Sequence, residues 1–422
     1  MDGIVSLTRQ LLRIDTRNPG STEEVAARFV VDWLTRQGAR YEVLEAQPGR
    51  STVVSRHPGK DSSRPALVIH GHLDVVPPQV EGWTHGPFSG DVADDCVWGR
   101  GAVDMKGFVA MMLNAQADLA SGDLVTDRDI VFAYFADEEM GGSLGSNWVV
   151  ENRPDVFEGA SEAIGEVGGF TIDLPDGGRA FTLQVAEKGM AWFRVRAWGQ
   201  GGHSALSSNV SPLVPLAEMI TKLANLSTGT APPAAMQSLI AELRAMTGGN
   251  SESVLDVLGP IGKMAHRASL TTFVPTVVFG GTNANVIPDV AELIVDCRFI
   301  PGDFEAALDT VKSALEPGMD LDVIAYSPGL EVPMGDDVPI VAACRQAVSA
   351  FDPSARLLPL AVPAGTDAQH LSVLGIDGYG FAPLPLPPDF DYMAMFHGVN
   401  ERVPISSLLE GQEVLRLLIA SL

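Results

Sequence analysis

Cysteine, basic side chains and long apolar runs are all scarce in this chain of 422 residues. The three cysteines, Cys96, Cys297 and Cys344, are too few and too widely separated to predict a disulfide framework or a thiolate metal site. Lysine and arginine together number 28 against 53 acidic residues, which gives a formal net charge of −25 at pH 7. Because such a surface repels phosphate backbones, we expect no nucleic-acid partner.

Signals for secretion and for membrane insertion are missing as well. Residues 1–20 have no basic head followed by an apolar core, and their spacing predicts an amphipathic helix that runs into a turn. No stretch elsewhere sustains the roughly 18 uncharged apolar residues that a membrane helix requires. We therefore expect a soluble, cytoplasmic protein with no membrane partner.

The length of the chain and the order of its helix-like and strand-like segments predict two domains, one inserted in the other. At 422 residues, 46% of them apolar, the chain exceeds one ordinary core. Helix-like and strand-like segments alternate in residues 1–186, which predicts a mostly parallel sheet covered by helices. Residues 187–330 follow the order β-α-β-β-α-β of a ferredoxin-like unit. The alternation of helix-like and strand-like segments returns in residues 331–422. We therefore expect residues 1–186 and 331–422 to form one catalytic domain, with the middle unit inserted in it.

Individual elements can be placed within this plan. In the outer parts we predict strands over 66–70 and 130–136, and helices near 105–120, over 339–350 and from 405 onwards. In the middle unit we predict strands over 190–198, 276–280, 291–299 and 321–326, and helices over 212–226 and 304–315. An insert over 227–269 has some helical periodicity and no role that the sequence reveals.

Side chains suited to metal binding follow the apolar strands. The segment ALVIHGHLDVVP places His72 and Asp74 two residues apart on one strand face, as a metal-binding histidine and its carboxylate orienter would lie. Three later segments also contain acidic or histidine side chains that could bind metal: GRGAVDMKG with Asp104, FAYFADEEMGG with Glu138 and Glu139, and FHGVNERVP with His397. Since sites collect at the carboxyl ends of strands in such sheets, these segments together predict a metal hydrolase.

On these motifs the sequence resembles, over nearly its whole length, a family of co-catalytic metallopeptidases and amidohydrolases. That family includes aminoacylase, acetylornithine deacetylase, succinyl-diaminopimelate desuccinylase, carboxypeptidase G and Gly-X carboxypeptidase. The resemblance implies a zinc-exopeptidase-like catalytic domain and an inserted lid and dimerisation domain. It implies two divalent metal ions, with zinc expected and cobalt or manganese as alternatives. One ion is assigned to His72 and Glu166 and the other to Glu139 and His397, with Asp104 as the bridge.

The same resemblance assigns the catalytic roles. Glu138 is implied as the general base and Asp74 as the partner that orients His72. His203, in GQGGHSALSS, is implied to bind the oxyanion of the tetrahedral intermediate, often in the site of a dimer partner. Independently of the resemblance, a site with this many acids needs cations, because clustered carboxylates otherwise repel one another and some stay protonated.

Substrate contacts are implied at four further positions, which are Asn285 in GGTNANVIP, Arg298 in DCRF, and Gly365 and Thr366 in AGTDAQHL. Arg298 would pair with a substrate carboxylate, which suits its planar two-pronged donor group. Many relatives carry arginine near the position of Gln369, so a second carboxylate contact is not implied here. The family also implies a cis peptide bond between Asp104 and Met105.

These expectations together describe a homodimeric hydrolase that cleaves an amide bond beside a free carboxylate. A carboxypeptidase or an N-acyl-amino-acid amidohydrolase acting on a small molecule or short peptide is the leading interpretation. A dedicated biosynthetic N-deacylase, such as a deacetylase or desuccinylase, is an alternative within the same chemistry. An alternative of another class is a dimeric metal-binding scaffold without activity, against which the complete ligand set and Glu138 both argue.

Overall fold

The computed structural model describes residues 3–228, 231–248 and 254–422. Its helices are α1 (Gly3–Leu12), α2 (Glu24–Arg36), α3 (Lys106–Ser121), α4 (Ser146–Asn152), α5 (Leu213–Ala224), α6 (Ala234–Thr247), α7 (Pro260–Ala268), α8 (Phe304–Ala314), α9 (Pro339–Phe351), α10 (Ala368–Leu371) and α11 (Ile405–Ser421). Its strands are β1 (Glu42–Gln47), β2 (Arg50–His57), β3 (Ala66–His72), β4 (Asp91–Ala93), β5 (Cys96–Trp98), β6 (Ile130–Phe135), β7 (Ala160–Gly165), β8 (Thr171–Asp173), β9 (Arg179–Glu187), β10 (Gly189–Trp198), β11 (Gly202–His203), β12 (Ser227–Thr228), β13 (Thr271–Gly280), β14 (Val286–Ile287), β15 (Val290–Phe299), β16 (Met319–Ser327), β17 (Leu330–Glu331), β18 (Arg356–Val362), β19 (Asp377–Gly380) and β20 (Arg402–Pro404).

The larger of the two main sheets has ten strands and is called the main sheet. Its order is β1-β2-β6-β3-β7-β19-β9-β17, with β18 and β8 both paired to β9. The central pairs β3 with β6, β3 with β7, and β7 with β19 are parallel. Strands β3 and β6 are buried along their whole length, which explains their continuous apolar sequence, since a parallel sheet is covered on both faces. The predicted class, an α/β fold with a largely parallel sheet, is confirmed.

Successive residues of one strand enter different cores on the two faces of the main sheet. Leu67 and Ile69 of β3 belong to the larger core with helices α1, α3, α9 and α11, whereas Ala66 and Val68 belong to the smaller core beside α4. The observed bounds of β3, β6 and α3 lie within two residues of those predicted, and the amphipathic N-terminal helix is observed as α1. None of the described helices is long and apolar enough to span a membrane.

The second large sheet, called the middle sheet, has five antiparallel strands in the order β12-β13-β15-β10-β16. Its elements follow the predicted order, β10, α5, β13, β15, α8 and β16. Strand β15 alternates buried and partly exposed residues, because α5 and α8 cover one face of the sheet. The boundaries at residues 187 and 330 and the lid role of this unit remain predictions.

Strand β13 begins at Thr271, five residues before the start predicted at 276. The additional residues include Pro275, which cannot donate a ladder hydrogen bond and is unusual inside a strand. In the structure the pairing of β13 with β15 shifts register between Pro275 and Val277, so a bulge accommodates the proline.

The insert that the sequence left without a role packs against the main sheet. Helices α6 and α7 both contact β18. Met236 and Leu239 of α6 and Ile261 near α7 lie in the same core as Leu358 and Leu360 of β18. Within the predicted insert over 227–269, residues 229–230 and 249–253 lie outside the described residues.

The first and the last connection between the main and middle sheets lie side by side. Gly329, on the return connection, has φ +78°, and a Cβ there would lie 2.5 Å from the backbone nitrogen of Gly189 on the outward connection. Only glycine fits such a close approach in this backbone region. Lys188 on the outward connection donates hydrogen bonds from Nζ to the carbonyls of Arg267, 3.2 Å away, and Leu270, 2.6 Å away, so the end of the insert is tied to the same junction.

Candidate active site

Six predicted side chains meet at the carboxyl edge of the main sheet. They are called the acidic cluster and comprise His72, Asp104, Glu138, Glu139, Glu166 and His397. His72 ends β3, the glutamate pair follows β6, and Glu166 directly follows β7. Because these three strands are parallel neighbours, their ends deliver the side chains to one place.

Asp104 lies at the centre of the acidic cluster. Its Oδ1 is 3.0 Å from Nε2 of His72, and its Oδ2 is 3.3 Å from Nε2 of His397. The two oxygens of one carboxylate therefore face two different histidines. The peptide bond between Asp104 and Met105 is cis, as the family resemblance implied.

A further carboxylate accompanies each histidine. Oε2 of Glu166 lies 3.4 Å from Nε2 of His72, and Oε2 of Glu139 lies 3.2 Å from Nε2 of His397. Potential ligand atoms lie within 4.8 Å of one another in the sets His72, Glu138, Glu166 and His72, Asp104, Glu139. One histidine and one glutamate thus lie on either side of Asp104, and the division of these side chains between two metal ions remains a prediction.

Protonation in the acidic cluster is strongly displaced from ordinary values. Burial opposes charge on His72, but Glu166 and hydrogen bonding with Asp104 outweigh burial and raise the pKa of His72 well above its usual range. Hydrogen bonds with Asp104 and Glu139 raise the pKa of His397 to about 10. Burial, with repulsion from Asp104, raises the pKa of Glu139 to about 7. In the absence of metal ions, the acids of the cluster therefore favour positive charge on both histidines.

The donor set fits two divalent cations. Imidazole nitrogens and carboxylate oxygens are the ligands that zinc and related metals take in proteins. Two cations would supply the positive charge that the histidine protons supply here, and would leave both Nε2 atoms free to coordinate. The site therefore fits two metal ions, and the chemistry of the donors leaves the choice of metal open.

Asp74 holds His72 through the main chain as well as through its carboxylate. Nδ1 of His72 lies 3.0 Å from the carbonyl oxygen of Asp74 and 3.5 Å from its Oδ1. Because a carbonyl oxygen can only accept, Nδ1 carries the proton and Nε2 faces Asp104. Asp74 also accepts the N–H groups of Glu138 and Glu139, at 3.1 and 3.2 Å. One carboxylate thus connects the histidine to the glutamate pair.

Glu138 lies beside the proposed metal ligands and belongs to one of the two sets of potential ligand atoms. Its Oε2 is 3.9 Å from Nε2 of His72, farther than the carboxylates of Asp104 and Glu166. Burial first, and the negative charge of Glu166 second, raise the pKa of Glu138 well above its ordinary value. A carboxyl group with this raised proton affinity is suited to carrying a proton.

His203 and Asn285 lie on a separate two-stranded ribbon. The ribbon consists of β11 and β14, with His203 opposite Val286, and the carbonyl of Asn285 accepts the N–H of Ser204 at 3.0 Å. Both predicted residues are exposed. Among the described residues, no hydrogen bond or ion pair joins either of them to the acidic cluster.

Arg298 lies on the middle sheet, near its junction with the main sheet. Its Nε is 3.0 Å from Oδ1 of Asp296, so the side chain already has an acidic partner. Arg298 is opposite Met190, which is opposite Ser327 on the next strand. The hydroxyl of Ser327 donates to Gln369, so this row of the sheet faces the turn predicted to hold substrate.

Gly365 and Thr366, the two substrate contacts predicted on that turn, differ in whether a ligand can reach them. Gly365 is exposed, but Thr366 is buried. The hydroxyl of Thr366 donates to Oε1 of Glu187 at 2.5 Å and its N–H donates to Oε2 at 2.9 Å. The Thr366 side chain therefore holds the buried end of β9, and the exposed backbone of Gly365 is the part of the turn that can meet a ligand.

Glu401 is an important residue that the sequence analysis missed. It accepts the N–H groups of Gly101, Val103 and Asp104 at 3.0, 2.9 and 3.2 Å, and an Nη1 hydrogen of Arg100 at 2.7 Å. These contacts fix the loop that carries the central aspartate. Its position in the FHGVNERVP motif was the available signal, but its role depends on contacts about 300 residues away in sequence.

Comparison with known proteins identifies the family of the chain. The family model described as peptidase family M20/M25/M40 matches residues 68–421. Aminoacylase-1 of Sus scrofa is 27% identical, over 99% of this chain and 95% of the relative. The structure of the M20 family metallo-carboxypeptidase Sso-CP2 from Sulfolobus solfataricus is similar with a TM-score of 0.73, at 16% identity, over 100% and 99% of the two chains. The YXEP protein of Bacillus subtilis, described as a dinuclear metal binding peptidase, has a TM-score of 0.65, at 16% identity, over 99% and 96%.

Proposed function

Because the chain belongs to peptidase family M20/M25/M40, it is a metal-dependent hydrolase of amide or peptide bonds, and we propose that it acts on N-acyl amino acids or short peptides. The bond cleaved would lie beside a free carboxylate of the substrate. The observation that carries this proposal is Asp104, whose two oxygens face His72 and His397, with Glu138 alongside. Retained catalytic geometry favours an enzyme over a scaffold that only binds metal.

We propose that His72 and Glu166 hold one metal ion, Glu139 and His397 hold the other, and Asp104 binds both. Zinc is the proposed metal, since two imidazoles with carboxylates suit it. When bound, two such ions polarise the scissile carbonyl and lower the pKa of water towards about 7.

The chain's own groups then move the proton. Glu138 is close to the ligands, and we propose that it accepts a proton from the attacking water and delivers it to the leaving nitrogen. Its raised pKa supports the second half of this task, because a carboxyl group that holds its proton strongly can carry it to the leaving group. Asp74 fixes both the tautomer of His72 and the backbone of Glu138, so it positions the ligand and the base together.

Substrate recognition is proposed to come from the middle sheet and the turn at Gly365. Arg298 would bind the substrate carboxylate after exchanging its contact with Asp296, and the N–H side of Gly365 would support the same end. His203 and Asn285 would contact the oxyanion and its neighbourhood. Since neither reaches the acidic cluster within this chain, they must arrive by movement of the middle sheet or from a second subunit.

We propose a homodimer formed through the middle sheet. Three consecutive apolar residues near the end of the strand β13, Val277, Val278 and Phe279, are 38, 51 and 60% exposed. Adjacent apolar side chains exposed to this degree, on an outer strand, are typical of a surface covered by a partner. For the compartment we propose the cytoplasm, which the three buried free cysteines support.

A substrate panel tests the proposed activity. Purified protein with two equivalents of zinc would be given N-acetyl, N-succinyl and N-formyl amino acids and dipeptides, and the released amino acid would be measured. We expect chelator-sensitive release from a subset that has a free α-carboxylate, and at least about tenfold slower release from the matching α-amides, because Arg298 then lacks its charged partner. Equal rates on acids and amides would overturn the carboxylate requirement. Release that chelator does not affect would overturn the metal-dependent mechanism.

A further inference from the structure

Asn18 is a buried amide that makes hydrogen bonds to two carboxylates from different strands. Its Nδ2 lies 3.0 Å from Oδ2 of Asp74, after β3, and 2.8 Å from Oδ1 of Asp137, after β6. A carboxamide nitrogen has two hydrogens, so each can go to one of these acceptors. The amide therefore connects the ends of two neighbouring strands.

Both acceptors are structural supports of the acidic cluster. Asp74 holds the His72 ring and the N–H groups of Glu138 and Glu139. Asp137 has φ +64°, and its Oδ2 accepts the N–H of Leu144 at 2.9 Å, which fixes the turn that contains the glutamate pair. Asn18 thus lies behind the histidine ligand and the base at the same time.

Arg50 determines which way the Asn18 amide points. Its Nη2 donates to Oδ1 of Asn18 at 2.9 Å, and its Nη1 lies 2.5 Å from Oε1 of Glu23. Because Arg50 can only donate, the side-chain oxygen of Asn18 must face Arg50 and the nitrogen must face the aspartates. The N–H of Asn18 also donates to the carbonyl of Val75 at 2.9 Å, so the residue is fixed at both ends.

We propose that Asn18 is a positioning residue of the active site, which sets the distance between His72 and the Glu138–Glu139 turn. The inference rests on the proposed function, since it assigns Asn18 to the support of the same metal site. Nothing in the NPG turn marks Asn18 as functional in the sequence, because both of its partners are distant, at 56 and 119 residues.

The substitution Asn18→Asp tests this proposal with almost no change in shape. It removes both hydrogens that the two aspartates accept and places a third acid beside them. Loss of an outer partner of a metal ligand typically lowers metal affinity or activity by about 10- to 100-fold. We expect losses of that size in zinc affinity, measured by chelator competition, and in kcat, with KM changed less than about threefold because Asn18 does not touch substrate.

Gln116→Glu is the matched control. Gln116 is also a buried amide, and its Nε2 donates to Ser55 at 2.9 Å while its Oε1 accepts the Tyr134 hydroxyl at 2.5 Å. It contacts none of the aspartates. Both substitutions should lower the Tm of the metal-free protein, but only Asn18→Asp should lower zinc affinity and kcat. Arg50→Gln, which removes the group that orients the amide, should show the same pattern with a smaller change.

The outcomes separate this inference from the proposed function. If the unsubstituted protein is a chelator-sensitive amidohydrolase and Asn18→Asp keeps its zinc affinity and kcat within about twofold, the positioning role is wrong. If Asn18→Asp and Gln116→Glu lose activity only in proportion to lost folded protein, measured by circular dichroism, the role is structural and the inference is also wrong. If the unsubstituted protein binds neither zinc nor cobalt nor manganese and releases no amino acid from the substrate panel, the proposed function itself is wrong.

Discussion

The acidic cluster and the β11–β14 ribbon are the two parts of the predicted catalytic machinery, and they are built in opposite ways. Side chains of the cluster come from the ends of buried parallel strands and already lie 3.0 to 3.4 Å from their neighbours around Asp104 and the two histidines. His203 and Asn285 lie on a short exposed ribbon and have no contact with the cluster. All the proposed metal ligands meet within one chain, whereas the proposed roles of His203 and Asn285 require a movement or a second subunit that brings them to the cluster.

Because of this difference, the residues proposed to bind metal and the residues proposed to contact the oxyanion lie in different parts of the molecule. The rigid main sheet fixes the groups that must match a metal within a few tenths of an ångström. The ribbon branches from the middle sheet, since β11 follows β10 and β14 lies between β13 and β15. We therefore expect substitutions in the two parts to differ in their effect on metal binding, even where both abolish activity.

Glu138→Gln should give the largest loss. The amide cannot accept and return a proton, so kcat should fall by about 10²- to 10⁴-fold. Zinc content, measured by elemental analysis, should be unchanged because Glu138 lies outside the proposed ligand set. The neighbouring Glu139→Gln serves as the comparison, since it should lower zinc content as well as kcat. Full activity in Glu138→Gln would show that another group is the base.

His203→Ala should give the next largest loss and should leave metal binding intact. Removing one donor to an oxyanion usually costs about 10²- to 10³-fold in kcat. The measurement is kcat beside zinc affinity by chelator competition. A fall in zinc affinity comparable to the fall in kcat would mean that the ribbon supports the cluster after all, and the contrast between the two parts would disappear.

Mixing the two inactive variants identifies which subunit His203 serves. If His203 acts in the partner's site, a heterodimer of Glu138→Gln and His203→Ala has one site with both residues intact. The heterodimer should then have about half of the activity of the unsubstituted dimer, and a random coexpression mixture should have about a quarter. If it acts within its own chain, every site in the mixture lacks one residue and no activity returns. Recovery in the mixture therefore supports a shared site, and its absence overturns that reading.

Glu187→Gln should have the smallest effect, on stability. Glu187 ends β9 where the chain leaves the main sheet, and burial raises its pKa from 4.5 to about 7. Protonation is thus easier in the folded state, so the contribution of Glu187 is fully present below about pH 4.5 and is lost as pH rises to about 7. The substitution should flatten the pH dependence of unfolding over that window, by up to about 3 kcal/mol. Urea titrations of metal-free protein at pH 4.5, 6 and 7.5 measure it, and parallel curves for both proteins would contradict it.

Much of the acidic cluster could be predicted because its candidate metal-binding and catalytic residues lie close together in short sequence motifs. His72 and Asp74 share one motif, and Glu138 and Glu139 share another, so strand ends and metal-ligand residue types coincide in short windows. The alternation of the middle sheet similarly predicted its element order, although β13 begins before its predicted start. These signals need no knowledge of distant contacts.

The rest depends on pairings between residues far apart in the chain. Glu401 supports Asp104 from 297 positions away, and Thr366 is held by Glu187 from 179 positions away, so its hydroxyl is used inside the protein. No short pattern distinguishes such a buried acceptor from a solvated acid. The same reason conceals Asn18, whose partners meet only after the sheet has formed.

The path of helices α6 and α7 has a consequence for dissecting the molecule. Residues between β12 and β13 leave the middle sheet, and their apolar side chains Met236, Leu239 and Leu243 are buried in the core of the main sheet. A fragment cut at residues 187 and 330 would carry that apolar surface into water, and the remaining protein would lose the cover of β18. We therefore expect the middle sheet to be stable as a separate fragment only if a short linker replaces residues 231–268 in it, and the main sheet to be stable on its own only if it keeps those residues.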